Sequence, residues 1–259
     1  MFRIIKAKSR KLVKLLVERN PFTIRFAEYF LLHFPFLLPH DNDFYGFMCL
    51  EDKDKGLFLD VGANDGRSAL SFHKLKKNWR IFSIEANPLH VPNLKRLHKK
   101  IPGYRYLIKV ADRVSGRKTN LYVPVYLSCI LHEAASTSLQ FAKQGVQHEF
   151  SERISRRVKY IKKKAQTIKI DDLGLRPDIV KIDVEGHELD VLIGCQSTIE
   201  ACRPIFLIEY NADSFVKILD FFQRCEYSPF FFDLESSKLV PYEEDIIRNC
   251  FFIPSEQHI

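Results

Sequence analysis

Three points along the chain are spaced as if to meet one ligand. In "GLFLDVGANDGRSAL", residues 56–70, an apolar run ends at Asp60, and Gly62, Asn64 and Gly66 follow in quick succession. Glycine removes side chains that would keep a ligand from the backbone and permits dihedral angles that other residues avoid. Asn64 tolerates the left-handed region, and Asp65 can cap a following helix. Glu85 closes a second apolar run, nineteen residues after Gly66. A carboxylate there can accept hydrogen bonds from both hydroxyls of a ribose. Asp112 closes a third run, where it can meet the exocyclic amine of an adenine. One bare loop, one ribose acceptor and one base acceptor in this order make an adenosine site.

The dinucleotide fingerprint G-x-G-x-x-G serves a pyrophosphate at a helix N-terminus. Here the spacing is Gly62-x-Asn64-x-Gly66 followed by Arg67, so that fingerprint is not met, and no Walker-type G-x-x-x-x-G-K-[ST] occupies the loop. A ligand without phosphates, S-adenosyl-L-methionine, fits better, with its amino-acid end over the loop and its ribose on Glu85.

The second chemical stretch is "KIDVEGHEL", residues 181–189. Asp183 follows an apolar run, so its carboxylate emerges at the same rim as the loop. It is the first candidate for a general base or for the group that orients an attacking hydroxyl. His187, whose ordinary pKa is near neutrality, is the second. Glu185 shares that role or caps a helix begun at Gly186. A metal centre built from Asp183, Glu185 and His187 is not expected, because ligands two residues apart rarely converge across a strand-to-helix turn. Glu209, closing the next run, enlarges the acidic rim or caps the following helix.

These residues need a scaffold that brings run-ends to one edge. "LFLDV" (57–61), "RIFSIEA" (80–86), "YRYLIKVAD" (104–112), "KTNLYVP" (118–124), "TIKIDDL" (167–173), "DIVKIDV" (178–184) and "PIFLIEY" (204–210) read as strands. Amphipathic helices fall between several of them: "RSALSFHKLKK", the stretch from Asn87 and Pro88 whose regular helix starts near Pro92, and residues 213–225. Strands buried on both faces and alternating with helices predict a doubly wound α/β fold around a mostly parallel sheet. "YSPFFFD" and "NCFFIP" finish it as an antiparallel pair. In such a sheet, ligands bind beyond the carboxyl ends of the strands.

The chain has 259 residues, 46% hydrophobic and 28% charged, which suits a globular protein and excludes wholesale disorder. Its net charge of +8 belongs to two segments. Residues 1–19 carry +6 and residues 151–169 carry +7, leaving the remainder at −5. Either segment suits an anionic partner, whether phosphate, nucleic acid or a lipid head-group surface, or is a solvated face. Residues 1–50 read as a helical, basic and aromatic extension, and 51–259 as the main domain. Residues 124–167 form an insert that shapes an acceptor pocket, with Ser136, Thr137, Ser138, His132, His148 and the aromatics Tyr126, Phe141, Phe150 and Tyr160. Six cysteines without C-x-x-C spacing read as reduced thiols of a cytoplasmic protein. The stretch "YFLLHFPFLL" (29–38) is too short to span a bilayer. Peripheral membrane contact through residues 1–38 is the most it offers.

From about Gly56 to Pro254 the chain resembles the FkbM-type methyltransferases. The resemblance rests on "FLDVGANDG", "IEANP" (84–88), "VKIDVEGHELDVLIG" (180–194) and "RPIFLIEYN" (203–211), supported by "AASTSL" (134–139) and "AQTIKIDDL" (165–173). It implies a Rossmann-like class I methyltransferase sheet and S-adenosyl-L-methionine as cofactor. The acceptor it implies is a hydroxyl oxygen of a sugar, glycan or small molecule. Carried onto this chain, it assigns Gly62, Ala63, Asn64 and Gly66 to the methionine part, flanked by Asp60. Glu85 goes to the ribose with Ala86 beside it, and Asp112 to the adenine. The rival readings are an RNA methyltransferase using the basic segments and a non-catalytic cofactor-binding scaffold at a membrane.

Overall fold

The computed structural model describes residues 39–51, 53–126, 129–131, 134–210, 214–243 and 249–257. Residues 1–38, with their expected helices and membrane contact, and His132 lie outside them. The described chain falls into two units, one of residues 39–119 with 164–257 and one of residues 120–163.

In the larger unit, β1 (Leu57–Val61) leads to α1 (Arg67–Leu75), β2 (Arg80–Glu85), α2 (Val91–Lys100) and β3 (Tyr104–Ile108). A short β4 (Val110–Ala111) follows. Then come β5 (Lys118–Tyr126), β6 (Cys129–Ile130), α3 (Leu139–Glu149), α4 (Glu152–Ser155) and β7 (Lys159–Ile168). The larger unit resumes with β8 (Ile179–Ile182), α5 (Glu188–Ile193), α6 (Gln196–Cys202), β9 (Ile205–Ile208) and α7 (Phe215–Arg224). It closes with β10 (Tyr227–Asp233), β11 (Lys238–Pro241) and β12 (Cys250–Pro254).

The main sheet has the order β11-β10-β12-β9-β8-β1-β2-β3. Strands β9, β8, β1, β2 and β3 run parallel, and β12, β10 and β11 are antiparallel. The reversal between β1–β2 and β1–β8 makes a topological switch at the carboxyl end of β1, where such sheets bind ligands. Alternate residues of each strand feed two buried clusters. One contains Leu59, Val180 and Phe206, the other Phe58, Ile179 and Leu207.

Several expected elements differ. The run 104–112 breaks in two: Lys109 N closes the main ladder on Glu85 O at 3.0 Å, and Val110 and Ala111 pair with Thr167 and Ile168 instead. The strand expected over 167–173 lies earlier, at Lys159–Ile168. Asp171–Leu173 is a 3-10 turn, because the Asp171 carboxylate turns to cap α6 through Thr198 N at 2.9 Å and Thr198 Oγ1 at 2.8 Å. Residues 118–124 lie outside the main sheet. The start of α2 lies between the two prolines: Pro88–His90 is a 3-10 turn, and regular helix begins at Val91, one residue before Pro92.

The extension expected to end at residue 50 is, from residue 39 on, part of the larger unit. Its 3-10 turn Asn42–Met48 buries Phe44 and Phe47 with Phe58, Phe72 and Phe251. The rings of Phe58 and Phe72 stack at 4.0 Å, and Phe47 meets Phe58, Phe72 and Phe251 edge-on. Such pairs add about 0.5–1.5 kcal/mol each beyond the area they bury.

In the smaller unit, Val125 and Tyr126 pair with Ile130 and Cys129, and Tyr122 bridges Ser136. Ser138 caps α3, its Oγ accepting from Phe141 N. Tyr126, Leu131, Ala134, Val146 and Ile154 form a small core, against which Phe150 and Tyr160 pack, while Phe141 is exposed. No helix among the described residues is long and apolar enough to cross a membrane. Cysteines 49, 195, 202, 225 and 250 are unpaired.

Candidate active site

The loop after β1 is held from two sides. Gly62 N and Ala63 N both donate to Ile84 O of β2, at 2.9 and 3.2 Å. Gly62 has φ +80°, and a Cβ built there would lie 1.7 Å from the main-chain oxygen of Asp183. Gly66 has φ +89°, and its missing Cβ would meet Leu97 of α2 at 2.3 Å. Both glycines thus answer first to packing: one lets the end of β8 close on the loop, the other lets α2 close on α1. Asn64 takes the left-handed conformation with φ 51°. The Ala63 side chain is buried in the core. Asp65 Oδ1 accepts from Arg67 N at 3.1 Å and Nε at 3.0 Å, which caps α1 as expected.

Glu85, 8% exposed, is clamped by two main-chain amides: Asn64 N on Oε2 and Asn87 N on Oε1, each at 2.7 Å. Burial raises its pKa to about 7, against the pull of those amides. A carboxylate offers about four lone-pair positions, so two bonds leave capacity for two hydroxyl donors. Ala86, beside it, is partly exposed.

A buried polar stripe crosses the sheet on the face of Phe58 and Ile179. Ser83, Asp60 and Lys181 are register partners on β2, β1 and β8. Asp60 is 0% exposed; its Oδ2 accepts from Ser68 Oγ at 2.6 Å and Ser83 Oγ at 3.2 Å, and its Oδ1 lies 3.8 Å from Lys181 Nζ. Asp60 is therefore a buried strut of the loop. Burial raises its pKa. Lys181 Nζ also reaches Asp183 Oδ2 at 3.0 Å. Burial disfavours the ammonium, but Asp183 and Asp60 outweigh it and hold Lys181 charged.

Asp183, just past β8, has 35% of its side chain exposed. Burial works against its charge, yet Lys181 and a hydrogen bond from Glu209 outweigh it and keep the carboxylate ionised. Glu209, just past β9, is pushed up to about 10 by burial and by the charge of Asp183. Carboxylate oxygens of Asp183, Glu185 and Glu209 lie within 4.8 Å of one another. The expected non-convergence holds for His187 but not for Glu185, whose φ of 55° folds it back beside Asp183. Three carboxyls this close do not all ionise, so Glu209 keeps a proton.

His187 belongs to a different set. Its Nε2 is 3.2 Å from Asp112 Oδ2 and its Nδ1 3.2 Å from Asp190 Oδ2. Each ring nitrogen thus faces a carboxylate. Asp112 also accepts from Arg117 Nη2 and from Val114 N. Burial alone would raise its pKa, but the His187 hydrogen bond and charge outweigh that and lower it. The pair ties the loop after β4 to the start of α5. Sequence reading passed over Lys181 and Glu188, although both lie within "KIDVEGHEL". Glu188 is buried, and its Oε1 accepts from Gly186 N at 2.9 Å.

A sequence model of the methyltransferase FkbM domain matches residues 60–229, more than half of the chain. No curated protein matches the sequence. Among solved structures, the methyltransferase FkbM from Methylobacillus flagellatus is similar at 16% identity and a TM-score of 0.49, covering 86% of this chain and 47% of its own. The chain thus spans about half the length of that protein. Precorrin-6y C5,15-methyltransferase from Geobacter metallireducens follows at 15% identity and a TM-score of 0.41, covering 80% of this chain and 82% of its own. The sheet order, the loop at its switch point and the extent of the family match lead to one conclusion: the chain belongs to the FkbM methyltransferase family, whose cofactor is S-adenosyl-L-methionine.

Proposed function

We propose that the protein transfers a methyl group from S-adenosyl-L-methionine to a hydroxyl oxygen of a sugar, glycan or small-molecule acceptor. The observation that carries this reading is the ionised, part-exposed Asp183 carboxylate, whose main chain packs on Gly62 of the cofactor loop. The residues present fit the cofactor. Glu85 retains lone pairs for a ribose diol, and the ionised Asp183 gives the rim a negative charge that suits a cationic ligand. Gly62, Ala63, Asn64 and Gly66 would line the methionine part through their backbone. Ala86 would flank the ribose. Asp112, engaged by His187 and Arg117, would shape the adenine side.

When bound, the cofactor supplies a methyl group activated by sulfonium charge. Asp183 would accept the hydrogen bond of the acceptor hydroxyl, fix the direction of its oxygen lone pair and take up its proton. Positioning of this kind contributes roughly 7–11 kcal/mol in ideal cases, and a general base typically about 10²–10⁴-fold. Because its pKa is depressed, Asp183 does more by orientation than by basicity. Lys181 fixes it from within, and Glu209, holding its own proton, hydrogen-bonds it.

Calorimetric titration with S-adenosylhomocysteine tests the reading, with NAD as comparator and Glu85→Ala as control. Binding that the mutant loses, without an NAD response, supports it and justifies an acceptor screen read against Asp183→Asn. Binding of neither ligand overturns it.

A further inference from the structure

Beyond residue 38, the excess of positive charge is gathered in the smaller unit. Residues 120–163 hold seven Lys/Arg against three Glu, whereas residues 39–119 and 164–259 hold 25 Lys/Arg against 27 Asp/Glu. Six of the seven stand between Arg153 and Lys163, with no acid among them. Arg153, Arg156, Arg157, Lys159 and Lys162 are exposed, and Lys163 is half-buried. Arg156 pairs with Glu152 at 2.6 Å. No ion pair to Arg153, Arg157, Lys159 or Lys162 occurs among the described residues, so four exposed charges are left for a partner.

Two elements present this run. The short helix α4 turns Ile154 into the small core, which leaves Arg153 and Arg156 outside. In β7, successive side chains alternate between faces. Tyr160 packs on the small core, so Lys159, Ile161 and Lys163 share the opposite face, spaced about 7 Å apart. Ile161 is 40% exposed there, an aliphatic side chain between two lysines. A lysine can lay its methylene stem along apolar surface while its ammonium stays in water. The Lys-Ile-Lys stripe therefore fits an interface that is apolar within and anionic outside, which describes a layer of acidic lipid head groups. Single-stranded nucleic acid, by contrast, is held on aromatic platforms where its bases stack. The run exposes none, because Tyr160 is committed to the core.

We propose that the surface from Arg153 to Lys163 docks on an anionic membrane, with its arginines and lysines among the lipid head groups and Ile161 dipping between them. The inference goes beyond the methyl-transfer reading and does not depend on it. Each basic side chain near an acidic leaflet strengthens attachment about fivefold, so the exposed residues of this run act together. The attraction is electrostatic and reversible, and the apolar contact of Ile161 adds the part that salt does not screen.

The test is co-sedimentation of the full chain with phosphatidylcholine vesicles containing about 30% phosphatidylserine, compared with phosphatidylcholine alone and with binding to polyuridylate. The wild type should partition to the anionic vesicles in preference to the neutral ones, and added salt should weaken the attachment. Replacing Arg153, Arg157, Lys159 and Lys162 together by glutamine should weaken that partition about a hundredfold or more. Ile161→Ser should weaken it about three- to sevenfold. Ile161→Trp should strengthen it and add a fluorescence that shifts to the blue on the vesicles. Partition unmoved in the fourfold variant overturns the proposal and gives the attraction to another segment, residues 1–19 first among them. Partition unmoved in Ile161→Ser overturns it too, as does an Ile161→Trp emission that ignores the vesicles. Tighter binding to polyuridylate than to the anionic vesicles overturns it in favour of nucleic acid. If the fourfold variant fails to fold, the two variants at Ile161 decide alone.

Discussion

Gly62 and Asp183 are in main-chain contact: no side chain fits between the first residue after β1 and the carbonyl of the first residue after β8. The loop assigned to the cofactor and the residue assigned to the acceptor are thereby one rigid piece. That contact makes Gly62→Ala far more damaging than a glycine substitution in the same backbone region elsewhere. Gly116 has φ +78° but open space around its missing Cβ. Urea unfolding should give about 1–2 kcal/mol for Gly116→Ala, the strain of a left-handed residue alone. Gly62→Ala should lose much more, or fail to fold, because the Asp183 carbonyl must also move. Equal losses would refute the contact.

Glu85 should couple cofactor affinity to pH. Its folded pKa, about 7, is above the ordinary 4.5. The unfolded chain therefore releases this proton first, and the group's contribution to stability, intact below about pH 4.5, is lost as pH rises toward 7. Binding should run the other way, since the ionised form would accept the ribose hydroxyls. S-adenosylhomocysteine affinity should fall about tenfold per pH unit below 7 and become flat in Glu85→Gln. Calorimetry across that range reads both trends.

Asp183→Asn should separate binding from turnover. S-adenosylhomocysteine titration should stay near wild type, because the substitution leaves the Gly62 contact and Glu85 intact. Methyl transfer to any acceptor found by screening should fall about 10²–10⁴-fold. Turnover within a few-fold of wild type would remove Asp183 from the chemistry.

Lys181→Met should be among the most destabilising single changes in the sheet. It leaves Asp60 fully buried beside no cation, a loss of about 3–5 kcal/mol in chemical denaturation. Combining it with Asp60→Asn should recover part of that loss, because the uncompensated charge goes with the aspartate. A strictly additive double mutant would mean that the 3.8 Å pair carries no coupling.

His187→Gln should cost stability rather than catalysis. Losing the tie between Asp112 and Asp190 should lower unfolding free energy by about 1–3 kcal/mol. Methyl transfer by the folded variant should change less than the range expected for a lost base. A hundredfold fall in turnover without destabilisation would reinstate His187 as a proton acceptor.

The sequence by itself determined the frame of this protein. Apolar runs at 57–61, 80–86, 178–184 and 204–210, alternating with amphipathic helices, required a parallel sheet with its acidic run-ends on one rim. Local pattern suffices there, because strand burial and helix amphipathicity are written in neighbouring residues. The same is true of the capping by Asp65 and of the left-handed Asn64. Contacts between distant residues were beyond its reach. Nothing near Glu209 in the chain announces that it will share a proton with Asp183, and nothing near Lys181 marks it as the cation between Asp60 and Asp183. His187 looks like a base beside Asp183 in the sequence, and only folding gives it to Asp112 and Asp190. Side-chain charge and proton affinity depend on burial and on partners far away in the chain, and tertiary structure alone decides both.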